Sequence, residues 1–458
     1  MSSHVPPGPR FRALDVVIGQ LIPKRALSPM LFLSYFPPFG DISYWEFAGR
    51  KLFFLNHPDL IREVLIEKAA NYRKNDLAQQ SLRPFLGDGL LLSEGEHHRQ
   101  QRKLMQPAFH SRRIESYAQF MVEHAAKVIG SWQAGQERDV AAEMMRLTLT
   151  IVGQTLLGVD VSADAPRVGQ LVTSMLHHAN ETTRRLVQLP AWVPTARQRQ
   201  AQKTVRDLHA LVQKIIDERR RSGKDHGDLL SMLLLTRDES GAGMSDTQVR
   251  DEVLTMILAG HETTANTLAW ALSLLAKNPA TAAALHTEVA TVLRGRPPTL
   301  ADLPQLPLID YVIKESLRIY PPAPVFTRQP VAATELGGYA IAADAILVTS
   351  PYFLHRDPRF FAEPLRFWPE RWAAGLERAL PRCAYFPFGA GPRVCIGQQF
   401  ALMESRLLLA LLVARFRFSL APGQVVEEEA AVTLRPKTGL RMRLHPAAAA
   451  PAASPPAA

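Results

Sequence analysis

Residues 251–279 read DEVLTMILAGHETTANTLAWALSLLAKNP, apolar on nearly every face over the length of a long helix. A helix of that kind belongs in an interior, so the rest of the chain has to surround it. Its midpoint breaks the pattern. Gly260 costs about 1 kcal/mol against alanine inside a helix. Glu262 and the two threonines after it are polar groups that need partners once buried. Glycine, acid and hydroxyls at the middle of a buried helix point to a ligand pressed against the backbone, and to protons moving there. The competing reading is a simple bend, with Thr263 bonded back to the preceding turn and Glu262 facing solvent.

The surroundings are those of a globular protein: 47% of the 458 residues are apolar and 21% charged. Two cysteines, Cys383 and Cys395, do not make a disulfide framework. The amino-terminal MSSHVPPGPRFR has no apolar signal core. No stretch reaches the roughly 18 uninterrupted apolar residues of a spanning helix. The expectation is a cytoplasmic protein without an integral membrane segment. The formal charge of +10 comes from scattered residues with no nucleic-acid motif, so an acidic protein partner fits better than a nucleic acid.

Alternation around Gly49 in residues 41–56 reads as a hairpin, and Pro58 opens a helix after it. From 96 to 300 the pattern is mainly helical, with breaks at 189–194 and 237–246; 325–350 turns strand-like, and 431–445 reads as a final hairpin. No linker divides the chain. The expected architecture is mainly α with small β-sheets near both ends, one large domain over residues 1–445. The low-complexity tail PAAAAPAASPPAA, 446–458, is expected to be disordered.

In YVIKESLRIYPP, Glu315 and Arg318 share a helix face, and Arg371 lies in a proline-bounded loop some fifty residues on. Two arginines and one glutamate can lock that loop to the helix as a buried network. On the early hairpin, Arg50 and Lys51 are candidate anchors for a carboxylate, with a solvated strand edge as the plainer reading.

The stretch FPFGAGPRVCIG, 386–397, carries three glycines, an arginine and a cysteine. Gly389, Gly391 and Gly397 permit turns and close approach to a flat ligand. Cys395 precedes a leucine-rich helix, whose N-terminus favours thiolate. Such a thiolate is a nucleophile or a metal ligand. A nucleophile wants a partnered histidine, which spacing does not identify, and zinc wants further ligands. One thiolate suffices where the metal already has four equatorial ligands, as iron in haem does.

Phe388 to Gly397 matches F-G-x-G-x-R-x-C-x-G at every fixed position, and the chain resembles the cytochrome P-450 family, of the soluble bacterial type. AGHETT looks like that family's oxygen-activating motif, KESLR contains its E-x-x-R, and PERW is similar to its P-E-R-F; together they span roughly residues 90–445 in the family's order. The resemblance implies one P-450 fold with haem b (iron protoporphyrin IX) between the helix carrying Thr263 and the helix after Cys395. Cys395 would be the iron ligand and Arg393 a propionate partner. Phe388 would shield the sulfur, with Gly389 and Gly397 shaping the loop.

Thr263 and Glu262 would guide protons to dioxygen, and Gly260 would open the helix for oxygen. Glu315, Arg318 and Arg371 would be structural. His98 and Arg102, four apart in GEHHRQQR, and Arg328 would be further propionate contacts, although the family often has tryptophan where His98 stands. Cys383 would be a plain core or loop residue. Met256, Ala259, Ala323, Val325 and Phe326 would line an apolar substrate pocket.

The implied activity is a monooxygenase that hydroxylates or epoxidises an apolar small molecule (fatty acid, terpenoid or polyketide) with O2 and two external electrons. A peroxygenase, an isomerase or dehydratase, and a haem-binding sensor are the alternatives. Electrons would come in trans from a ferredoxin and an NAD(P)H-dependent ferredoxin reductase. Lys103, Arg382 and Arg99 would serve as docking charges on a monomer.

Overall fold

The hairpin at Gly49 turns on Ala48 and Gly49, both at positive φ (51° and 75°), the geometry that matches the right-handed twist of the strands it joins. The computed structural model describes residues 5–11, 28–184, 195–235 and 243–447. Strands β1 (Ile42–Phe47), β2 (Arg50–Leu55), β3 (Tyr72–Arg73), β5 (Phe326–Pro330) and β8 (Ile346–Thr349) form one sheet in the order β1-β2-β8-β5-β3. A second sheet joins β4 (Glu137–Asp139), β12 (Arg441–Pro446) and β9 (Phe416–Leu420). Two-strand ribbons pair β6 (Thr334–Leu336) with β7 (Tyr339–Ile341), and β10 (Glu428–Ala430) with β11 (Leu434–Pro436).

Helices fill the space between. The longer ones are α1 (Asp76–Leu86), α2 (Gly95–Met105), α3 (Ser111–Gly130), α4 (Val140–Leu157), α5 (Ala165–Arg184), α6 (Ala196–Ser222), α7 (Asp246–Lys277), α8 (Pro279–Leu293), α9 (Pro307–Ile319) and α10 (Gln398–Arg415). The expected mainly α architecture with small sheets is what the chain adopts.

α7 is the apolar run that opened the analysis. A capping box starts it: Gln248 N–H donates to Ser245 Oγ, and Ser245 N–H to Gln248 Oε1. It is buried along most of its length, packing on α4, α9 and α10. Its helical backbone is continuous through Gly260, with no break there. A side chain at Gly260 would meet Val152 of α4 at 2.9 Å, so close helix packing is one reason for the glycine.

Three expectations need correction. Residues 431–445 are not a hairpin on themselves: β11 pairs with β10, and β12 with β9 and β4. The strand Leu434 starts is fixed elsewhere, its N–H donating to Pro322 O and its carbonyl accepting from Trp270 Nε1. The tail boundary also moves, since Pro446 still pairs with Phe416, and Ala447 N–H donates to Arg415 O. The break at 189–194 and residues 237–242 lie outside the described residues, as do 448–458. The third correction concerns Gly397, whose φ of −88° is ordinary, unlike Gly389 (+73°) and Gly391 (+69°).

Candidate active site

The glycine loop is folded by its own backbone. Gly389 N–H donates to Phe386 O, Val394 N–H to Gly391 O, and Cys395 N–H to Phe388 O at 2.9 Å. Gly391 is pressed so closely on Leu65 that a Cβ would lie 1.9 Å from the Leu65 carbonyl oxygen. These turns deliver Cys395 three residues before the first residue of α10. The thiol is surrounded by protein on every side, yet its side chain is accessible, so it borders an interior space rather than a packed core. Burial pushes its pKa up, against the pull of Gly397 N–H and Arg102. The helix terminus therefore does not by itself make a thiolate, as the sequence suggested; a bound metal ion would have to expel the proton. Cys383 is buried and pushed up to about 11 by burial, an inert core thiol.

A cluster of cations stands beside the loop. Arg393 donates to Ser93 O at 2.6 Å and to Glu94 Oε2 at 2.5 Å. Among the described residues Arg328 bonds its neighbour's carbonyl, Thr327 O, at 2.9 Å, and burial with Arg393 nearby pulls it down to about 10. Lys74 is pulled down to about 7 by burial, then by Arg393. Glu94 is the one acid in their midst; Asp88, farther off, is paired with Arg83 at 2.9 Å. Arg393, Arg328 and Lys74, with Arg102 close to Arg393, outnumber that one carboxylate and leave a surplus of positive charge, even though Lys74 carries only part of its charge at neutral pH. His98 is buried and pushed down to about 3, mainly by burial and then by Arg393, so it is neutral. It can offer a hydrogen bond but no charge. Arg102, on the same face of α2, donates to Val394 O at 2.8 Å, beside the cysteine.

On α7, Thr263 Oγ1 donates to Ala259 O at 2.8 Å, the back-bond of the plainer reading. Glu262 does not face solvent. It is 1% exposed, its Oε1 accepts from Thr433 Oγ1 at 2.7 Å, and burial raises its pKa.

The family model for Cytochrome P450 matches residues 6–441. The chain belongs to the cytochrome P450 family. Among its relatives, cyclooctatin synthase of Streptomyces melanosporofaciens is 37% identical, covering 89% of this chain and 90% of its own. Cyclooctat-9-en-7-ol 5-monooxygenase of the same organism is 36% identical, covering 86% of each. Pentalenene oxygenase of Streptomyces avermitilis is 34% identical, covering 91% and 92%. This P450 is a haem-thiolate monooxygenase that acts on an apolar small molecule and takes its electrons from redox partners. Its residues fit the haem: the Cys395 thiol is accessible, and the surplus of positive charge beside its loop suits the two propionates. Among the described residues, no helix is long and apolar enough to cross a membrane.

The remaining expected residues of the P450 divide in two. Glu315 and Arg318 are fully buried and Arg371 nearly so. Arg318 grips both carboxylate oxygens, at 2.8 and 2.9 Å, and Arg371 Nε joins at 3.0 Å. The pocket candidates are less uniform. Met256 is packed in the main core, while Ala259 and Ala323 are partly exposed. Val325 packs beside Phe353, and Phe326 lies against Phe386 and Gly389 of the cysteine loop. Lys51 is paired with Asp344, and Arg99 with Glu96. Lys103 and Arg382 are exposed.

Sequence reasoning missed Lys74, Glu94, Thr433 and Trp372. Lys74 is adjacent to a candidate strand in YRKND, but its neighbours Arg328 and Arg393 lie more than 250 residues away. Thr433 sits 171 residues from Glu262. No local pattern marks either.

Proposed function

We propose that the substrate is a terpenoid, a hydrocarbon or an alcohol derived from one. The names of the relatives, for cyclooctatin, cyclooctat-9-en-7-ol and pentalenene, support that class. The cofactor is haem b, held through iron by Cys395. When bound, it activates O2 with two electrons and inserts one oxygen atom into the substrate. The observation that carries this site is the surplus of half-buried positive charge beside an accessible cysteine.

Arg393, Arg328 and Lys74 neutralise the propionates, with His98 and Arg102 alongside; a guanidinium suits a carboxylate in a bidentate fit. Phe388 and the turn through Gly389 cover the sulfur, and Gly397 brings its N–H to it. Thr263 presents a hydroxyl to the reacting face, and Gly260 lets α7 pack closely on α4 one turn before it. Burial raises the Glu262 pKa, against the pull of the Thr433 hydrogen bond and of Arg435, and Glu262 is the acid that hands protons on toward that hydroxyl. A ferredoxin with an NAD(P)H-dependent reductase delivers the electrons in the cytoplasm, docking on exposed Lys103 and Arg382.

Spectral titration with terpene hydrocarbons, terpene alcohols, fatty acids and polyketides tests the substrate class. Terpenoids alone should perturb the haem spectrum at micromolar concentration and be oxygenated with a ferredoxin and NADPH; a response confined to fatty acids would refute it. Thr263→Ala should keep haem and substrate binding while diverting electrons to peroxide or water. Unchanged coupling would remove Thr263 from the relay.

A further inference from the structure

The cysteine loop is held in its middle by the contact of Gly391 with Leu65, and toward its end by Arg393 and Arg102. Its entry is fastened differently, by two side chains. Phe386 N–H donates to His355 Nε2 at 3.0 Å, and His355 is fully buried. Tyr385, one residue earlier, donates to Lys314 O of α9 at 3.0 Å. His355 also belongs to the Glu315 network, because its carbonyl accepts from Arg318 Nη1 at 2.8 Å. Its ring is fenced by Tyr385, Phe386 and Phe361, with centroids 5.0, 5.6 and 6.1 Å away.

A buried backbone N–H needs an acceptor. An imidazole nitrogen accepts only while unprotonated, so the ring has to be neutral with its proton on Nδ1. The surroundings enforce that state. Burial first, then the charge of Arg318, holds the ring's pKa well below the ordinary 6.5, and Arg356 pushes the same way. Nδ1 turns to the carbonyls of Arg318 and Leu317 in the last turn of α9, which favour a proton there, although neither reaches hydrogen-bond geometry. From Phe386 the loop's own bonds carry the placement onward, Gly389 N–H to Phe386 O and Cys395 N–H to Phe388 O.

We propose that His355 is a positioning residue for the iron ligand: its ring accepts the Phe386 N–H, seats the entry of the cysteine loop, and so sets where the Cys395 sulfur stands. The proposal rests on the reading of Cys395 as the ligand of the haem iron. The plainer alternative is a core ring that only fills space. The two differ in what a substitution of similar size does. Glutamine carries an amide oxygen about as far from the backbone as Nε2 and can accept from Phe386 N–H, whereas leucine fills comparable space and accepts nothing.

The readout is the reduced carbon monoxide complex of the full-chain holoenzyme, whose long-wavelength thiolate-type band gives way to a thiol-type band as the sulfur leaves its place. His355→Leu strands a buried N–H and should convert about ten-fold faster than wild type at equal temperature, with helix content by circular dichroism unchanged. His355→Gln should convert at close to the wild-type rate. Equal rates in the Leu and Gln variants would overturn the proposal. If His355→Leu does not fold, nitrogen-15 spectra of the wild-type complex with labelled histidine still decide. The His355 resonances, assigned by their loss in His355→Gln, should show Nε2 unprotonated and Nδ1 protonated from about pH 6 to 9. A proton on Nε2 within that range would equally overturn it. Failure of the Cys395 reading looks different, since Cys395→Ser would then keep the thiolate-type band whatever is done to His355.

Discussion

Two charge clusters, a buried one around Glu315 and a half-buried one around Glu94, are built on opposite plans. Around Glu315 every formal charge is answered from within the chain. Its carboxylate takes Arg318, Arg371, Trp372 Nε1 and Trp368 N–H, each within 3.0 Å. The second positive charge is solvated by backbone carbonyls: Arg318 donates to His355 O and Pro364 O, and Arg371 to Ala362 O. Around Glu94 three cations share one carboxylate, and Arg328 has the single carbonyl of Thr327 where Arg318 has three. A closed network is finished when the chain folds, whereas an open one is finished by what binds. Perturbed groups in a cleft mark function for this physical reason, and a tightly satisfied ion network of the same residue types does not.

Breaking the closed network should give the largest effect. Glu315→Ala strands two buried arginines and should destabilise the fold by about 3–5 kcal/mol in chemical denaturation, haem or no haem. Full stability of that variant would place the two clusters in one category.

The open cluster should respond with the reverse sign. Lys74 has a folded pKa near 7, below its ordinary 10.5, so its charge opposes folding of the haem-free chain. The penalty is complete below about pH 7 and fades as pH rises toward 10.5, where the free lysine also loses its proton. Lys74→Met should therefore stabilise the haem-free protein at pH 7, with the gain shrinking by pH 10. The same variant should lose haem faster to an apo-globin acceptor. Slower loss, or a gain independent of pH, would count against surplus charge as the organising feature.

The smallest effect sharpens the contrast inside the closed network. Trp372→Phe removes a single donor to the Glu315 carboxylate, and should cost about 1.5–3 kcal/mol with no change in haem retention.

The same contrast governs what the sequence disclosed. Glu315 and Arg318 are three residues apart on one helix, and Cys395, Arg393 and the loop glycines lie in one short stretch, so local spacing exposed them. The buried run of α7 announced itself through composition. The open cluster did not, because Lys74 and Glu94 join Arg328 and Arg393 only through tertiary folding. Thr433 was hidden likewise, in a segment misread as half of a hairpin because its alternation was genuine but its strand partners lay elsewhere.

The central claim is that the interior space beside Cys395 receives a haem whose iron takes that sulfur. The reduced carbon monoxide complex tests it most directly. Cys395→Ser should lose the long-wavelength thiolate-type absorption band, while Cys383→Ser keeps it in full. Retention of the band by Cys395→Ser and its loss in Cys383→Ser would contradict the account.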